Sequence, residues 1–381
     1  MKKILSVIVV VVVTLTQTAQ ITAFAQETDK PAVNAQACVL YCVDDGKVYF
    51  SVNENKKMKP ASTTKLMTSL ITLEYADSAD KVVAFTKDMT AEGSSMYLKA
   101  GEKVKLSDLA AGMMMASGND AANAAAISIA GSAEKFSELM NNRAAVIGMK
   151  NTHFVTPSGL DDKNHYSTAY DMALLMGYAL ENESFAKLTS QKSVTVEFSE
   201  PQSKRTTYTN HNRLLSMYEY CTGGKTGYTM AAGRCLVSSA KKDGLTFVCV
   251  TLNDRNDWND HIALYNYGFS KLACVECDDS DYYLEIPCAG GDDESIGVTG
   301  TKGKNVVVPF DKKSNVVRTA YADNFLYAPV KDGDIVGRIE YTLDGKTLAS
   351  TNLTAVEYSN TQNKNKSIWT KIKDFFTYGK E

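Results

Sequence analysis

Beyond residue 25 the sequence has no apolar run long enough to cross a bilayer, which takes about 20 residues, so no later segment reads as transmembrane. Histidine is scarce: His153, His165, His211 and His261 are the 4 present, and they share no metal-site spacing. Cys274-x-x-Cys277 has no second Cys or His pair to complete a zinc site, so no metal is expected. An excess of charge of either sign is missing too. Lys plus Arg number 41 and Asp plus Glu 44, a net charge of −3, which argues against the basic face of a nucleic-acid binder. There is no internal repeat and no low-complexity block, and 44% hydrophobic with 22% charged residues excludes collagen-like, disordered and coiled-coil classes. What remains is an ordinary globular chain. At about 150 residues per domain, 381 residues suggest two domains.

The two ends have their own character. Lys2-Lys3, the apolar run Ile4 to Val13 and Ala23-Phe24-Ala25 form the basic start, short hydrophobic segment and A-x-A site of a secretory signal peptide over residues 1–25. The mature chain then begins near Gln26 with 39 basic and 44 acidic residues, net −5. An exported protein is allowed disulfides. The 8 cysteines are nevertheless expected to be mostly buried small apolar residues, with room for one or two bridges. At the other end, residues 359–366 are a polar linker. Ile368, Trp369, Ile372, Phe375 and Phe376 then fall on one helical face beside Lys364, Lys366, Lys371 and Lys373. Such a basic amphipathic helix suits a membrane surface, or docking onto its own domain.

Between the ends, Cys38 to Phe50 reads as a hairpin turning at Asp45-Gly46. A helix is predicted from Ser62, with Leu66, Met67, Leu70, Ile71 and Leu73 on its apolar face. Residues 107–130, rich in Ala and Met, predict a buried helix pair broken at Ser117-Gly118-Asn119, with Met113-Met114-Met115 in the core. Residues 132–149 and 168–181 continue as amphipathic helices. Strands follow at Thr207–Thr209, Arg234–Ala240 and Leu245–Leu252, and Trp258–Leu272 is a closing helix. Strands at both ends with helices between predict an α+β domain over residues 26–275. Residues 276–358 carry 15 acidic and 8 basic residues and read as a separate β domain, with a turn at Asp344-Gly345.

Three short patterns carry chemistry. In Ser62-Thr63-Thr64-Lys65 a helix starting at Ser62 brings the lysine amine one turn on, within reach of the hydroxyl. A desolvated lysine is a base able to activate a serine. The bare S-x-x-K pattern recurs at Ser78, Ser132, Ser184, Ser238 and Ser239; the preceding Pro60-Ala61 and the following apolar helix single out Ser62. Ser117-Gly118-Asn119 offers a proton relay and an amide that bonds a peptide on both edges, or simply a helix cap. Lys225-Thr226-Gly227-Tyr228 offers a cation, a hydroxyl and an approachable strand edge, or a Gly-rich turn.

Taken together and in this order, the three patterns make the chain resemble the low-molecular-mass penicillin-binding proteins, and among them the D-alanyl-D-alanine carboxypeptidases. Further matching segments are Gly93 to Leu98, Asn151 to Phe154, Ser158 to Asp161 and His165 to Asp171. The resemblance implies a β-lactamase/transpeptidase-like fold, an antiparallel sheet flanked by helices with a helical subdomain, followed by a small C-terminal β domain. It implies Ser62 as nucleophile toward peptidoglycan stem peptides and β-lactam antibiotics, Lys65 as proton acceptor, and Ser117 with Lys225 serving the leaving amine. It further implies Asn119 on the substrate amide, and the N–H groups of Ser62 and Tyr228 as an oxyanion hole worth ~3 kcal/mol per donor. Thr226 and Gly227 would border the substrate, with Thr226 and Arg255 holding its terminal carboxylate. The family needs no cofactor and no catalytic histidine, and it commonly has an acidic residue shortly before the K-T-G lysine, where this chain has Cys221-Thr222. Class A serine β-lactamases on this fold deacylate through a Glu in E-x-x-L-N, which the sequence does not contain. An endopeptidase acting on cross-links would share every catalytic residue.

Overall fold

The computed structural model describes residues 30–291 and 293–356. The predicted signal peptide and the linker with its terminal helix lie outside the described residues. The chain divides into two units, one ending at Lys271 and the other beginning at Leu272.

In the first unit, β1 (Ala37–Cys42) and β2 (Lys47–Val52) form the expected hairpin. Gly46 takes φ +71° at its turn, and the Asp45 carboxylate accepts from the Lys47 N–H and the Tyr49 hydroxyl. β3 (Val82–Ala84) pairs with β4 (Lys103–Lys105), and β5 (Ser193–Glu197) with β6 (Arg205–Thr209). β7 (Cys221–Thr229), β8 (Gly233–Lys242) and β9 (Leu245–Leu252) then join the first hairpin in one antiparallel sheet of order β2-β1-β9-β8-β7.

Both faces of that sheet are covered, and this explains the near-continuous apolar runs of β8 and β9. On one face Val39, Val237, Val248 and Val250 join a core with Leu66, Leu70, Met172 and Met176 from helices Lys65–Ser78 and Ala169–Ala179. On the other, Leu40 and Phe247 approach Gly268 of the helix Asp257–Lys271 so closely that a Cβ there would lie 2.9 Å from both side chains. The Ala- and Met-rich stretch is the predicted buried helix pair, Leu106–Met115 and Asn119–Ala130, with Met113, Met114 and Met115 in the core. None of the 8 cysteines forms a disulfide, and 6 of them are buried.

The second unit begins four residues before the sequence-based boundary, because β10 (Leu272–Val275) pairs with β13 (Val306–Pro309) rather than with the first sheet. β11 (Tyr283–Ala289), β12 (Ser295–Gly300), β14 (Val317–Ala322), β15 (Leu326–Tyr327), β16 (Ile335–Leu343) and β17 (Lys346–Ala355) form a six-stranded sheet. Its order is β14-β16-β17-β12-β11-β15, and Asp344 and Gly345, at φ +51° and +77°, make the predicted β16–β17 turn. Ile286, Ile296, Val298, Ile339 and Leu353 are its core.

Candidate active site

Ser62 lies in a 3-10 turn, Ala61–Thr64, that leads directly into the Lys65–Ser78 helix. Ala61 takes φ +49°, and the Thr63 hydroxyl and N–H both donate to the Pro60 carbonyl, so the turn is fixed from within. Lys65 Nζ lies 3.0 Å from Ser62 Oγ, 2.6 Å from Asn119 Oδ1 and 2.7 Å from the Ser158 carbonyl oxygen. The lysine is fully buried. Burial drives its pKa well below the ordinary value, the positive charge of Lys225 adds to this, and Asp120 opposes it. A neutral amine has two hydrogens and one lone pair. Asn119 Oδ1 and the Ser158 carbonyl can only accept, so they take both hydrogens, and the lone pair is left facing the Ser62 hydroxyl.

Ser117 and Asn119 flank the break between the two buried helices. Ser117 takes φ +57°, and Asn119 opens the second helix with its N–H bonded to the Ser94 carbonyl at 2.8 Å. Its amide nitrogen donates to the Glu92 carbonyl at 2.6 Å. With Oδ1 on Lys65, each edge of the Asn119 amide retains one free position. Asp120 holds the facing loop by accepting from the Ser95 hydroxyl and the N–H groups of Met96 and Leu98. The helix has Gly118 at its N-cap and no side-chain cap, so the segment is not the simple helix cap the sequence also allowed.

The Gly-rich pattern is a strand and not merely a turn. β7 is the edge of the main sheet, and its Lys225, 1% exposed, donates to Ser117 Oγ at 3.1 Å and to the Thr226 carbonyl at 2.8 Å. Burial lowers the Lys225 pKa to about 7. Gly227 passes so near the Ser62 turn that a Cβ would come 2.9 Å from Ser62 N and 3.0 Å from Thr63 N. Only glycine lets the strand edge and those two N–H groups stand this close. Ser62, Ser94, Ser117, His211, Thr226, Gly227, Tyr228 and Arg234 line a cleft of about 550 Å³.

Of the residues expected from the sequence, Ser62, Lys65, Ser117, Asn119, Lys225, Thr226, Gly227 and Tyr228 come together here; Arg255 does not. β9 ends at Leu252, Asn253 turns the chain with φ +54°, and Arg255 lines a separate hollow with Asn34, Gln36, Asn253 and Asn256. The guanidinium at the cleft belongs to Arg234, which faces Tyr228 across the β7–β8 pairing. It makes a bidentate ion pair with the buried Asp257, at 2.7 and 2.8 Å through Nη2, and lies 5.6 Å from the Trp258 ring. The signal for it was its register: a hairpin with a short connection after Thr229 places Arg234 beside the K-T-G residues.

The other histidines have structural partners. His261 lies between the Ser238 and Thr251 hydroxyls, with burial lowering its pKa to about 3, and His153 Nδ1 meets the Asn164 carbonyl. No group of three or more metal-ligating side chains occurs among the described residues.

A serine hydroxyl at a buried amine, its turn packed against a glycine of the edge strand and near an arginine, in an antiparallel sheet flanked by helices, defines the class: a serine acyl-transfer enzyme of the penicillin-recognising fold. The comparisons place it within that class. Residues 24–256 match the family model of D-alanyl-D-alanine carboxypeptidase, and residues 278–359 that of the C-terminal domain of penicillin-binding protein 5. The chain is 32% identical to D-alanyl-D-alanine carboxypeptidase DacF of Bacillus subtilis over 372 residues, 94% of each chain. It is 34% identical to D-alanyl-D-alanine carboxypeptidase DacC of Escherichia coli over 357 residues, 88% of this chain and 87% of that one. The crystal structure of penicillin binding protein 5 from Haemophilus influenzae superposes with a TM-score of 0.65 at 29% identity, covering 87% of this chain and 99% of that one. The chain belongs to the D-alanyl-D-alanine carboxypeptidase family of serine peptidases.

Proposed function

We propose that this protein is a serine-type D-Ala-D-Ala carboxypeptidase that trims the terminal D-alanine from peptidoglycan stem pentapeptides during cell-wall biogenesis. The observation that carries the reading is the environment of Lys65, whose two amine hydrogens are committed to Asn119 and Ser158 while its lone pair meets Ser62.

Ser62 Oγ attacks the carbonyl carbon of the penultimate D-alanine as Lys65 takes its proton. The N–H groups of Ser62 and Tyr228 hold the oxyanion, a contribution of ~3 kcal/mol per donor. The peptide C–N bond breaks, and the leaving D-alanine amine receives a proton through Ser117 and Lys225, which share a hydrogen bond. Water then hydrolyses the acyl-enzyme with the same groups acting in reverse. Asn119 bonds the substrate amide with its free positions. Thr226 and Arg234 hold the terminal carboxylate: the guanidinium is fixed by Asp257 and half exposed to the cleft, with 43% of its side chain accessible.

β-Lactams mimic the acyl donor and acylate the same serine. Without the E-x-x-L-N glutamate the adduct is long-lived. Incubation with benzylpenicillin, then mass spectrometry of the peptide containing Ser62, tests this: a stable adduct on Ser62 is expected, whereas rapid turnover favours a β-lactamase and modification elsewhere removes Ser62 from its role.

The enzyme acts on the extracytoplasmic side of the membrane, which the basic start and A-x-A site of residues 1–25 support. It is held at the bilayer surface by the tail from residue 359, which carries 5 lysines against 2 acids beside Trp369, Phe375 and Phe376. A chain ending at residue 358 is expected in the soluble fraction where the full chain sediments with membranes; equal partitioning contradicts the anchor. Among the described residues no helix is long and apolar enough to cross a membrane.

A further inference from the structure

The mechanism above uses Ser158 only through its carbonyl oxygen, which raises the question of what places that oxygen at Lys65. Ser158 belongs to a loop, residues 155–160, that has no regular secondary structure. Behind it His165 is buried, 3% exposed, with Phe154 edge-on to its ring at 5.7 Å. His165 Nδ1 accepts two backbone N–H groups, Val155 at 3.0 Å and Thr156 at 3.2 Å. A nitrogen that accepts carries no proton, so the hydrogen is on Nε2, which donates to Thr64 Oγ1 at 2.9 Å. Thr64 is the last residue of the Ser62 turn, immediately before Lys65, and it is itself fully buried. One imidazole thus bridges the start of the loop to the serine turn.

The rest of the contact has little freedom. Gly159 sits against the Ala61 carbonyl, where a Cβ would be 2.0 Å away, and Thr68 donates to the Pro157 carbonyl at 2.6 Å. The Thr156 hydroxyl accepts from the Gly159 N–H at 3.1 Å and closes the loop on itself. The loop is a lid over Lys65, latched at its start by His165.

We propose that His165 is a positioning residue for Lys65, tying Thr64 to the 155–160 loop so that the Ser158 carbonyl caps the amine and water is kept from it. The proposal rests on the reading of Lys65 as the base for Ser62. It gives a buried histidine that does not line the cleft a kinetic consequence. Burial is the largest influence depressing the Lys65 pKa, ahead of the neighbouring Lys225 and against Asp120. Opening the loop admits water and relieves it, and the Lys65 pKa then rises. The acid limb of the acylation profile, below which Lys65 is protonated, moves to higher pH. His165 itself is faced by Asp162, Asp161, His153 and Lys59, and burial lowers its pKa to about 4, so it stays neutral across that limb.

The test is the second-order rate constant for acylation by benzylpenicillin as a function of pH, in the full-length wild type, His165→Ala, His165→Gln and Thr64→Val, with thermal melting in parallel. Glutamine offers one acceptor and one donor and can replace both contacts; valine removes only the Thr64 hydroxyl. His165→Ala and Thr64→Val are expected to shift the acid limb upward by about one pH unit and to lower the rate at pH 6 by about tenfold. Combining them is expected to add no further shift, and His165→Gln is expected to hold the wild-type limb. Limbs that coincide in all variants, with only the melting temperature lowered, overturn the proposal, as does a shift in His165→Gln as large as in His165→Ala. Should His165→Ala not fold, Thr64→Val decides alone. A wild type that acylates without any acid limb overturns the role of Lys65 itself, a distinguishable failure.

Discussion

Gly227 stands against the Ser62 turn so closely that a single added methyl group would lie 2.9 Å from the Ser62 backbone nitrogen and 3.1 Å from the Pro60 carbonyl oxygen. The edge strand β7 and the nucleophile turn are therefore packed as one unit, which brings β7 beside the Ser62 N–H.

Gly227→Ala is predicted to push β7 off the turn and so spoil the proposed oxyanion hole of Ser62 and Tyr228. Acylation by benzylpenicillin is expected to slow by about 100-fold, the scale on which a misplaced oxyanion donor acts. Since β7 is a sheet edge, the fold should persist, with far-ultraviolet circular dichroism unchanged. Wild-type acylation by this variant would show that the close approach is not needed.

Arg234 and Arg255 make opposite predictions. Arg234→Lys keeps a positive charge for Asp257 but loses the planar fork that holds a carboxylate in two bonds. Its kcat/KM for a D-Ala-D-Ala peptide is expected to fall by about 10- to 100-fold. Penicillin methyl ester, which lacks the carboxylate, should then be the poorer substrate for wild type by a larger factor than for the variant. Arg255→Ala, altering a residue of the separate hollow, is expected to leave both rates unchanged. A large loss in Arg255→Ala alone would reverse the assignment.

Asp254 supplies a prediction about stability and pH. Its carboxyl is fully buried, one oxygen accepts from the Asn256 N–H at 2.9 Å, and the other has no partner among the described groups. Burial and the neighbouring carboxylates of Asp260 and Asp257 raise its pKa to about 6. A raised carboxyl pKa means that the fold favours the protonated form. Its contribution is complete below the unfolded value near 4 and is lost as pH rises through 6. Asp254→Asn, whose amide can donate where the acid must hold a proton, is predicted to melt higher than wild type at pH 7.5, by about 2 kcal/mol of stability. At pH 4 the two should melt together. A variant less stable than wild type at pH 7.5 would contradict this.

The sequence made much of this legible, for reasons that are local. Asp45-Gly46 and Asp344-Gly345 announce hairpins because the turn geometry demands those residues. The Ser62 and Lys65 pair is visible because one helical turn sets its distance. Asn119 and Ser117 could be named, but the partners that orient them, the Glu92 and Ser94 carbonyls and Lys225, are brought in by packing alone. Arg234 was hidden by its ordinary place in a strand, since only the pairing with Tyr228 brings it to the cleft. His165 shares no metal spacing with the other histidines, and its bond to Thr64 spans 101 residues and exists only in the fold. β11 carries Pro287, which weakens a strand signal, and its place near the sheet edge is what tolerates it.

The most direct test of the account is release of D-alanine from diacyl-Lys-D-Ala-D-Ala, measured for wild type and for Ser62→Ala with both shown to be folded by thermal melting. The account predicts steady release by wild type and none above background from Ser62→Ala, a loss of at least about 1,000-fold. Release by the variant at a comparable rate, or no release by folded wild type, would contradict it.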